Sequence, residues 1–324
     1  MWQAEEACEH GDRAASMYSD STATAELRAT DAGAAVGGGE VLQNAARGVR
    51  AQVLGCAIDR VDLAESLAYC EAVINARGFA QHMAINVAKL VTMKRDERLR
   101  ASIERCELVT ADGQPIVWAS RLLGDPVPCR VAGIDLMEHL LVRAALKGYR
   151  VYILGATAAV LERAVHRIGM ELPTLQLAGY RDGYYEDEEE AELAASIAAA
   201  RPDILFVAMN SPRKEYFLAR YGRAIGVPFV MGVGGAIDVY AGVVERAPVL
   251  VQRLGMEWLF RLCQEPRRLT KRYAKTNTLF LLMLSRELIT RRRPTGSVRL
   301  SRHRSERRSD LGPGDGPVTR FSAG

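Results

Sequence analysis

Between residues 151 and 233, short apolar runs alternate with amphipathic segments of helix length. No other feature of this 324-residue chain narrows its possible folds as much. Buried strands are expected at 151–154, 175–178, 204–208 and 229–233, with helices at 188–200 and 214–225. A strand that returns through a helix pairs in parallel with its predecessor, and the helices must cover the faces of the resulting sheet.

The upstream half carries the same signal. Residues 53–58 form a short apolar run and 61–76 a helix-like segment. A second apolar run ends at Ala84-Ile85-Asn86, and a helical stretch continues to 105. A strand at 108–109 runs into Ala111-Asp112-Gly113, and Pro115 suits the first turn of a helix over 115–123. Apolar residues at 134, 137, 140, 141, 144 and 145 repeat with the period of a half-buried helix. The pattern predicts an α/β fold: an open, mostly parallel, Rossmann-like sheet with helices on both faces, plus a C-terminal basic helical appendage.

Charge divides the chain further. From residue 249 onward there are 17 Lys and Arg against 6 Asp and Glu, whereas the preceding residues carry 26 against 33. A mildly acidic body therefore bears a basic C-terminal quarter. In 249–293 the basic residues interleave with Leu254, Trp258, Leu262, Leu269, Tyr273, Leu279 and Phe280, as in an amphipathic helix suited to anionic lipid, nucleic acid or a phosphorylated ligand. The expected organisation is a disordered extension over 1–48, an α/β domain over 49–248, the basic helical appendage over 249–293 and a disordered basic tail over 294–324. No apolar run reaches the roughly 18 residues of a membrane span, and the early acids Glu5 and Glu6 do not fit a secretory signal. The six cysteines form no CxxC pair, which suits reduced thiols in the cytosol.

Ligands of open α/β sheets bind beyond the carboxyl ends of the strands, so the residues there are the ones to inspect. Asp112 is placed either to take a proton from a substrate hydroxyl or to cap the helix at 115; read alone, the cap is the plainer role. The turns Gly155-Ala-Thr157 and Gly232-Val-Gly-Gly235 offer backbone N–H groups to a phosphate, or simply supply tight turns. At Ser211-Pro-Arg-Lys-Glu215 a helix is expected to start with Pro212 in its first position and Ser211 as a cap. Its cationic pair opposes the helix dipole, a local conflict expected where an anion binds. The five histidines fall at no ligand spacing, so no metal site is expected. Neither glycine turn matches G-x-G-x-x-G with a downstream acid, which weakens a nucleotide-dependent oxidoreductase; a non-catalytic nucleic-acid-binding protein would use the basic tail but leaves the strand ends unexplained.

Taken in order, the motifs resemble those of the WecG/TagA/CpsF glycosyltransferases (glycosyltransferase family 26). The resemblance runs over about 53–273. It rests on Asn86, Ala111-Asp-Gly113 with Val117-Trp-Ala119, Val131-Ala-Gly-Ile-Asp135, Tyr152-Ile-Leu-Gly155, Gly179-Tyr-Arg-Asp-Gly-Tyr184 and Arg201-Pro-Asp203. It continues through Ser211-Pro-Arg-Lys-Glu215, Gly232-Val-Gly-Gly-Ala-Ile-Asp238, Arg246-Ala-Pro248, Glu257-Trp-Leu-Phe-Arg261 and Glu265-Pro-Arg-Arg268.

The resemblance implies an inverting transferase, without a bound metal or cofactor, that moves a sugar from a UDP-sugar to a polyprenyl-diphosphate-linked saccharide. It implies a cytoplasmic enzyme peripheral to the inner face of the plasma membrane, with no nucleic-acid partner and with homo-oligomer formation left open. Asp112 matches the family's base, with Asn86 beside it as a catalytic candidate. Gly113, Gly155, Thr157, Ser211, Lys214, Glu215, Gly232, Gly234, Gly235 and Asp238 are the nucleotide-sugar candidates. Arg261, Arg268 and Arg272 of the appendage are candidates to neutralise the diphosphate. Two departures bear on the donor: Ala84 stands where many members carry Thr, and Lys214 where many carry Gln. The Ser-Pro-Arg-Lys-Glu form and the Lys275-Thr-Asn277 stretch look more like the exopolysaccharide branch associated with xanthan- and acetan-type polymers. UDP-glucose is therefore the expected donor, with N-acetylmannosamine or its uronate as the alternative.

Overall fold

Six strands hydrogen-bond in one sheet, in the spatial order Leu108–Ala111, Ala80–Ile85, Phe229–Gly232, Ile204–Ala208, Arg150–Gly155 and Gln176–Arg181, every neighbouring pair parallel. The computed structural model describes residues 50–253 and 255–292. The chain enters through a hairpin, β1 (Ala51–Val53) and β2 (Cys56–Ile58), then α1 (Leu63–Asn75), β3 (Ala80–Ile85), α2 (Val87–Thr92), α3 (Glu97–Glu104), β4 (Leu108–Ala111) and α4 (Gln114–Leu122). It continues with α5 (Gly133–Lys147), β5 (Arg150–Gly155), α6 (Ala158–Glu171), β6 (Gln176–Arg181), α7 (Glu190–Ala200), β7 (Ile204–Ala208), α8 (Arg213–Tyr221), β8 (Phe229–Gly232) and α9 (Ala236–Tyr240). Three helices close the described chain: α10 (Val249–Arg253), α11 (Glu257–Gln264) and α12 (Pro266–Arg292). The expected parallel sheet with helices on both faces is the architecture found.

Strands β3, β4, β7 and β8 are buried along their whole length, as expected where helices cover both faces. On one face α1, α5, α6 and α9 pack over Val151, Ile153, Phe206, Phe229 and Met231. On the other, α2, α3, α4 and α12 cover Met83, Ile85 and Val109, while α7 and α8 cover Leu154, Leu205 and Val230. Phe280 and Leu284 seat α12 on that second face, so the appendage is part of the core and not only a surface arm.

Three expectations need correction. The apolar run at 53–58 is not one strand. It folds as the antiparallel hairpin β1–β2, turning through Leu54-Gly55, both at positive φ, in the geometry that matches strand twist. The helical stretch to 105 is two helices, because Asp96 caps a new helix by accepting a hydrogen bond from the Leu99 N–H. Pro212 is not the first residue of α8, nor does Ser211 cap it. The Ser211–Pro212 bond is cis, Pro212 occupies the cap position and no side chain caps the helix.

Candidate active site

Strands β3 and β8 lie side by side, His82 opposite Met231, yet the helix after β3 goes to one face and the helix after β8 to the other. A crevice opens between their carboxyl ends, the position where open sheets hold ligands. Asp112 enters from the next strand, its N–H donating to the Ile85 carbonyl at 2.8 Å. Gly113, not Asp112, is the cap of α4, and no side chain makes the capping hydrogen bond. The plainer reading of Asp112 as a helix cap is therefore set aside. Asp112 is half-buried as a residue at the carboxyl end of β4, and its side chain is not spent on the cap.

The floor of the crevice is charged. Lys89, three residues after Asn86, turns its ammonium inward and donates to the Ala84 carbonyl at 2.9 Å. It lies 3.2 Å from Glu215, which is fully buried. Lys214 approaches the same carboxylate at 3.7 Å and donates to the Met209 carbonyl at 3.4 Å. Its stem runs beneath the turn after β8: a Cβ at Gly232 would lie 3.1 Å from it and one at Gly234 only 2.9 Å from its nitrogen. Burial, reinforced by Lys89, pulls the Lys214 pKa down to about 8. Burial opposes ionisation of Glu215, but the two lysines outweigh it and hold its carboxyl below the ordinary range.

The other side of Asp112 is built by the C-terminal helices. Arg130 donates to Glu257 of α11 at 2.6 Å and lies 3.7 Å from Asp135 in the first turn of α5. Arg246 pairs with the same Asp135 and stands 3.6 Å from Glu138. This network clasps α11 to the body. Burial pushes the Asp112 carboxyl up, Glu257 adds to that, and Arg130, Arg261 and Lys89 pull the other way; the net direction is upward. Gly255, at φ +68, lets the chain close here, since a Cβ would lie 2.6 Å from Gln114.

The remaining candidates divide. Asn86 caps α2, its side-chain oxygen accepting from the Lys89 N–H at 3.0 Å. Thr157 caps α6, accepting from the Val160 N–H at 3.3 Å. Gly155 meets a packing demand, because a Cβ there would lie 2.5 Å from the Ala208 carbonyl carbon of the adjacent strand. Ser211 and Gly235 are exposed at the mouth, Gly113, Gly234 and Asp238 half-buried, and Gly232 buried. The cationic pair at the start of α8 is spent inside the protein: Arg213 donates to the Gly183 and Tyr185 carbonyls, and Lys214 is the floor lysine. Arg261 is half-buried on α11 near Asp112. Arg272 is exposed on α12 with its guanidinium over the Tyr273 ring, and the side chain of Arg268 lies outside the described residues.

Sequence reasoning missed Lys89, Arg130 and Glu257 as site residues. Arg130 and Glu257 border or begin motifs it had singled out, whereas Lys89 reads as an ordinary helical lysine.

The sequence profile of the Glycosyl transferase WecG/TagA/CpsF family matches residues 51–294. Among curated proteins, the chain is 37% identical over 171 residues to an N-acetylglucosaminyldiphosphoundecaprenol N-acetyl-beta-D-mannosaminyltransferase of Bacillus spizizenii, an alignment covering 53% of this chain and 66% of the relative. It is 38% identical over 158 residues to the protein of the same description from Bacillus subtilis, covering 49% of this chain and 61% of the relative. The chain thus spans less than two-thirds of the length of these relatives.

Proposed function

This chain belongs to the WecG/TagA/CpsF glycosyl transferase family, and from that premise we propose that it transfers N-acetylmannosamine from its UDP derivative to an N-acetylglucosaminyl-diphosphate polyprenol. The relatives' descriptions support this donor over the UDP-glucose expected from the Ser-Pro-Arg-Lys-Glu form. The observation that carries the reading is Asp112, a carboxylate at the mouth of the sheet, not used as a helix cap and flanked by Arg130 and Arg261.

The acceptor hydroxyl gives its proton to the Asp112 carboxylate as its oxygen attacks the anomeric carbon, on the face opposite the nucleotide. The bond from that carbon to the diphosphate oxygen breaks, its electron pair leaves with UDP, and the anomeric configuration inverts. An upward-shifted carboxyl is the stronger base, provided it remains ionised. Arg261 stands where a guanidinium can offset charge gathering on the departing diphosphate, with the exposed Gly235 of the turn after β8 as the facing candidate, since the Val233 and Gly234 N–H groups donate to the Val207 carbonyl.

The lipid-linked acceptor lies at a bilayer surface, and α12 supplies a face for it. Arg267, Lys271, Arg272, Lys275 and Arg286 are exposed together with Leu281, Leu282 and Ile289. Cationic side chains near an anionic leaflet contribute about 1 kcal/mol each. Among the described residues no helix is long and apolar enough to cross a membrane, so the proposed contact is peripheral.

The test is transfer into vesicles carrying the polyprenyl-diphosphate acceptor, with UDP-N-acetylmannosamine and UDP-glucose supplied separately. The first donor is expected to be used and Asp112→Asn to lower its transfer about 10²- to 10⁴-fold. Wild-type turnover in Asp112→Asn would overturn the assignment of the base, and preferential use of UDP-glucose would restore the other donor.

A further inference from the structure

Helix α4 begins two residues after Asp112, and its outer face is not the polar one expected of a helix that borders solvent. Ile116, Val117, Ala119 and Ser120 are buried, which leaves Trp118, Arg121 and Leu122 as its exposed residues. At spacings i, i+3 and i+4 these three share one face. Trp118 is 45% exposed and Leu122 62%. Arg121 between them donates to the Pro128 carbonyl at 3.4 Å, so the apolar pair dominates the face.

The apolar surface continues onto the C-terminal helices. Gly255, at the joint between α10 and α11, packs on α4: a Cβ there would lie 2.6 Å from Gln114 and 3.3 Å from the Trp118 ring. The Gly255 N–H donates to the Gln252 carbonyl at 2.9 Å and the Met256 N–H to that of Val251 at 3.0 Å, which ties α10 to the same joint. From α10, Val249 and Leu250 stand 54% and 69% exposed. On α11, Trp258, Leu259, Phe260 and Leu262 are half-buried, and no residue of that helix is fully buried. Large apolar side chains gathered in this way and left uncovered mark a surface that an apolar ligand occupies.

The place of this surface selects the ligand. Along the α4 axis, Trp118 and Leu122 lie about 8 and 14 Å beyond Gly113, the neighbour of Asp112. Of the two substrates, the acceptor carries the hydrocarbon, joined through a diphosphate to the sugar whose hydroxyl must reach Asp112. The first turn of α4 then runs beside the sugar and the diphosphate, and the apolar pair meets the chain that follows. An anionic leaflet is a poorer match here, because exposed Lys and Arg gather on α12 while the α4 face has one Arg, already hydrogen-bonded.

We propose that Trp118 and Leu122 of α4, with Val249 and Leu250 of α10, form the site for the isoprenyl chain of the acceptor next to its diphosphate. This rests on the reading of the acceptor as a polyprenyl diphosphate and adds where its hydrocarbon lies.

The experiment measures binding to the full chain by calorimetry, with farnesyl diphosphate as the probe and inorganic diphosphate as the chain-free control. The wild-type protein is expected to prefer the prenyl compound by a factor of about 100. Leu122→Gln and, separately, Leu250→Gln should each cut that preference about tenfold and leave inorganic diphosphate binding unchanged. Trp118→Gln should cut it further, but Trp118 also packs at the joint, so the two leucines carry the test. No preference in the wild type, or one that both leucine variants keep, overturns the proposal. A changed oligomeric state of the variants in light scattering also overturns it, by making the face a contact between copies. Weakened binding of the variants to vesicles free of acceptor overturns it in favour of the bilayer. In the transfer assay, KM for the prenyl-linked acceptor should rise about tenfold at unchanged kcat, with KM for the donor unmoved. Retained preference for farnesyl diphosphate without transfer from UDP-N-acetylmannosamine would sink the donor reading and leave this site standing.

Discussion

Lys89, Lys214 and Glu215 hold their charges in the dry crevice between β3 and β8, all three on elements of the central sheet domain. Arg130, Asp135, Glu138, Arg246 and Glu257 hold theirs at the seam between that domain and the C-terminal helices, with side chains that still touch water. Similar ion pairs serve different ends in the two places. Inside, little solvent can compensate a missing partner, so each member is held by the others. At the seam the side chains are 12–30% exposed, so water can partly compensate a lost partner. Asp112 feels Lys89 from one and Glu257 and Arg130 from the other, which ties the charge state of the proposed base to the docking of α11.

The sharpest way to break this contrast is Glu215→Gln. It strands two buried ammonium groups, and the loss of folding stability should be about 3–5 kcal/mol in a denaturant titration. A loss under 1 kcal/mol would mean that water does reach the crevice.

A pH series probes the same interior through His82, buried on β3 with its Nε2 2.9 Å from the Thr110 hydroxyl. Burial, with a contribution from Lys89, pulls its pKa down to about 3 from 6.5. The unfolded chain therefore takes up a proton near pH 6.5 that the folded chain refuses. The contribution is intact above that pH and is lost progressively as pH falls toward 3, at up to about 1.4 kcal/mol per unit. His82→Asn should flatten that slope when melting is followed against pH. An unchanged slope would show that the imidazole charges in place.

At the seam, Glu257→Gln should cost about 1–2 kcal/mol and raise amide exchange over 257–264 while leaving the sheet strands protected. It removes a negative neighbour, so the Asp112 midpoint, followed by carbon NMR of the labelled carboxyl, should move down. An upward move would mean that Glu257 does not act on Asp112 from the seam. The smallest effect is expected at Thr157→Ala, at the end of β5 and away from both clusters. It should lose about 1 kcal/mol of stability with the cap and leave transfer nearly unchanged; a large loss of activity would make Thr157 a ligand contact after all.

The alternation of apolar runs made the sheet legible from sequence, because a fully covered strand must be apolar on both faces. The hairpin at 51–58 was hidden because its inward residues Ala51, Val53, Cys56 and Ile58 are buried like those of a sheet strand, and only the turn at Leu54-Gly55 distinguishes it. Asp112 was legible as a candidate from its place after a strand and as the base from the family resemblance, but setting the cap aside required seeing that Gly113 holds the cap position of α4. Lys89 was not legible: Val87-Ala-Lys-Leu-Val91 scans as a helix with one solvated lysine, and nothing local says that this lysine points inward to a carboxylate 126 positions away. Charges paired across a sheet leave no periodic trace along the chain.

Gly255 closes the joint between α10 and α11 with no side chain at all, packed against the first turn of α4. Its neighbours Gln114 and Trp118 occupy the volume that a methyl group would need. A single inherited codon change at 255 would therefore wedge the last helices outward and draw Arg261 and Glu257 away from Asp112 together, while every proposed site residue kept its identity.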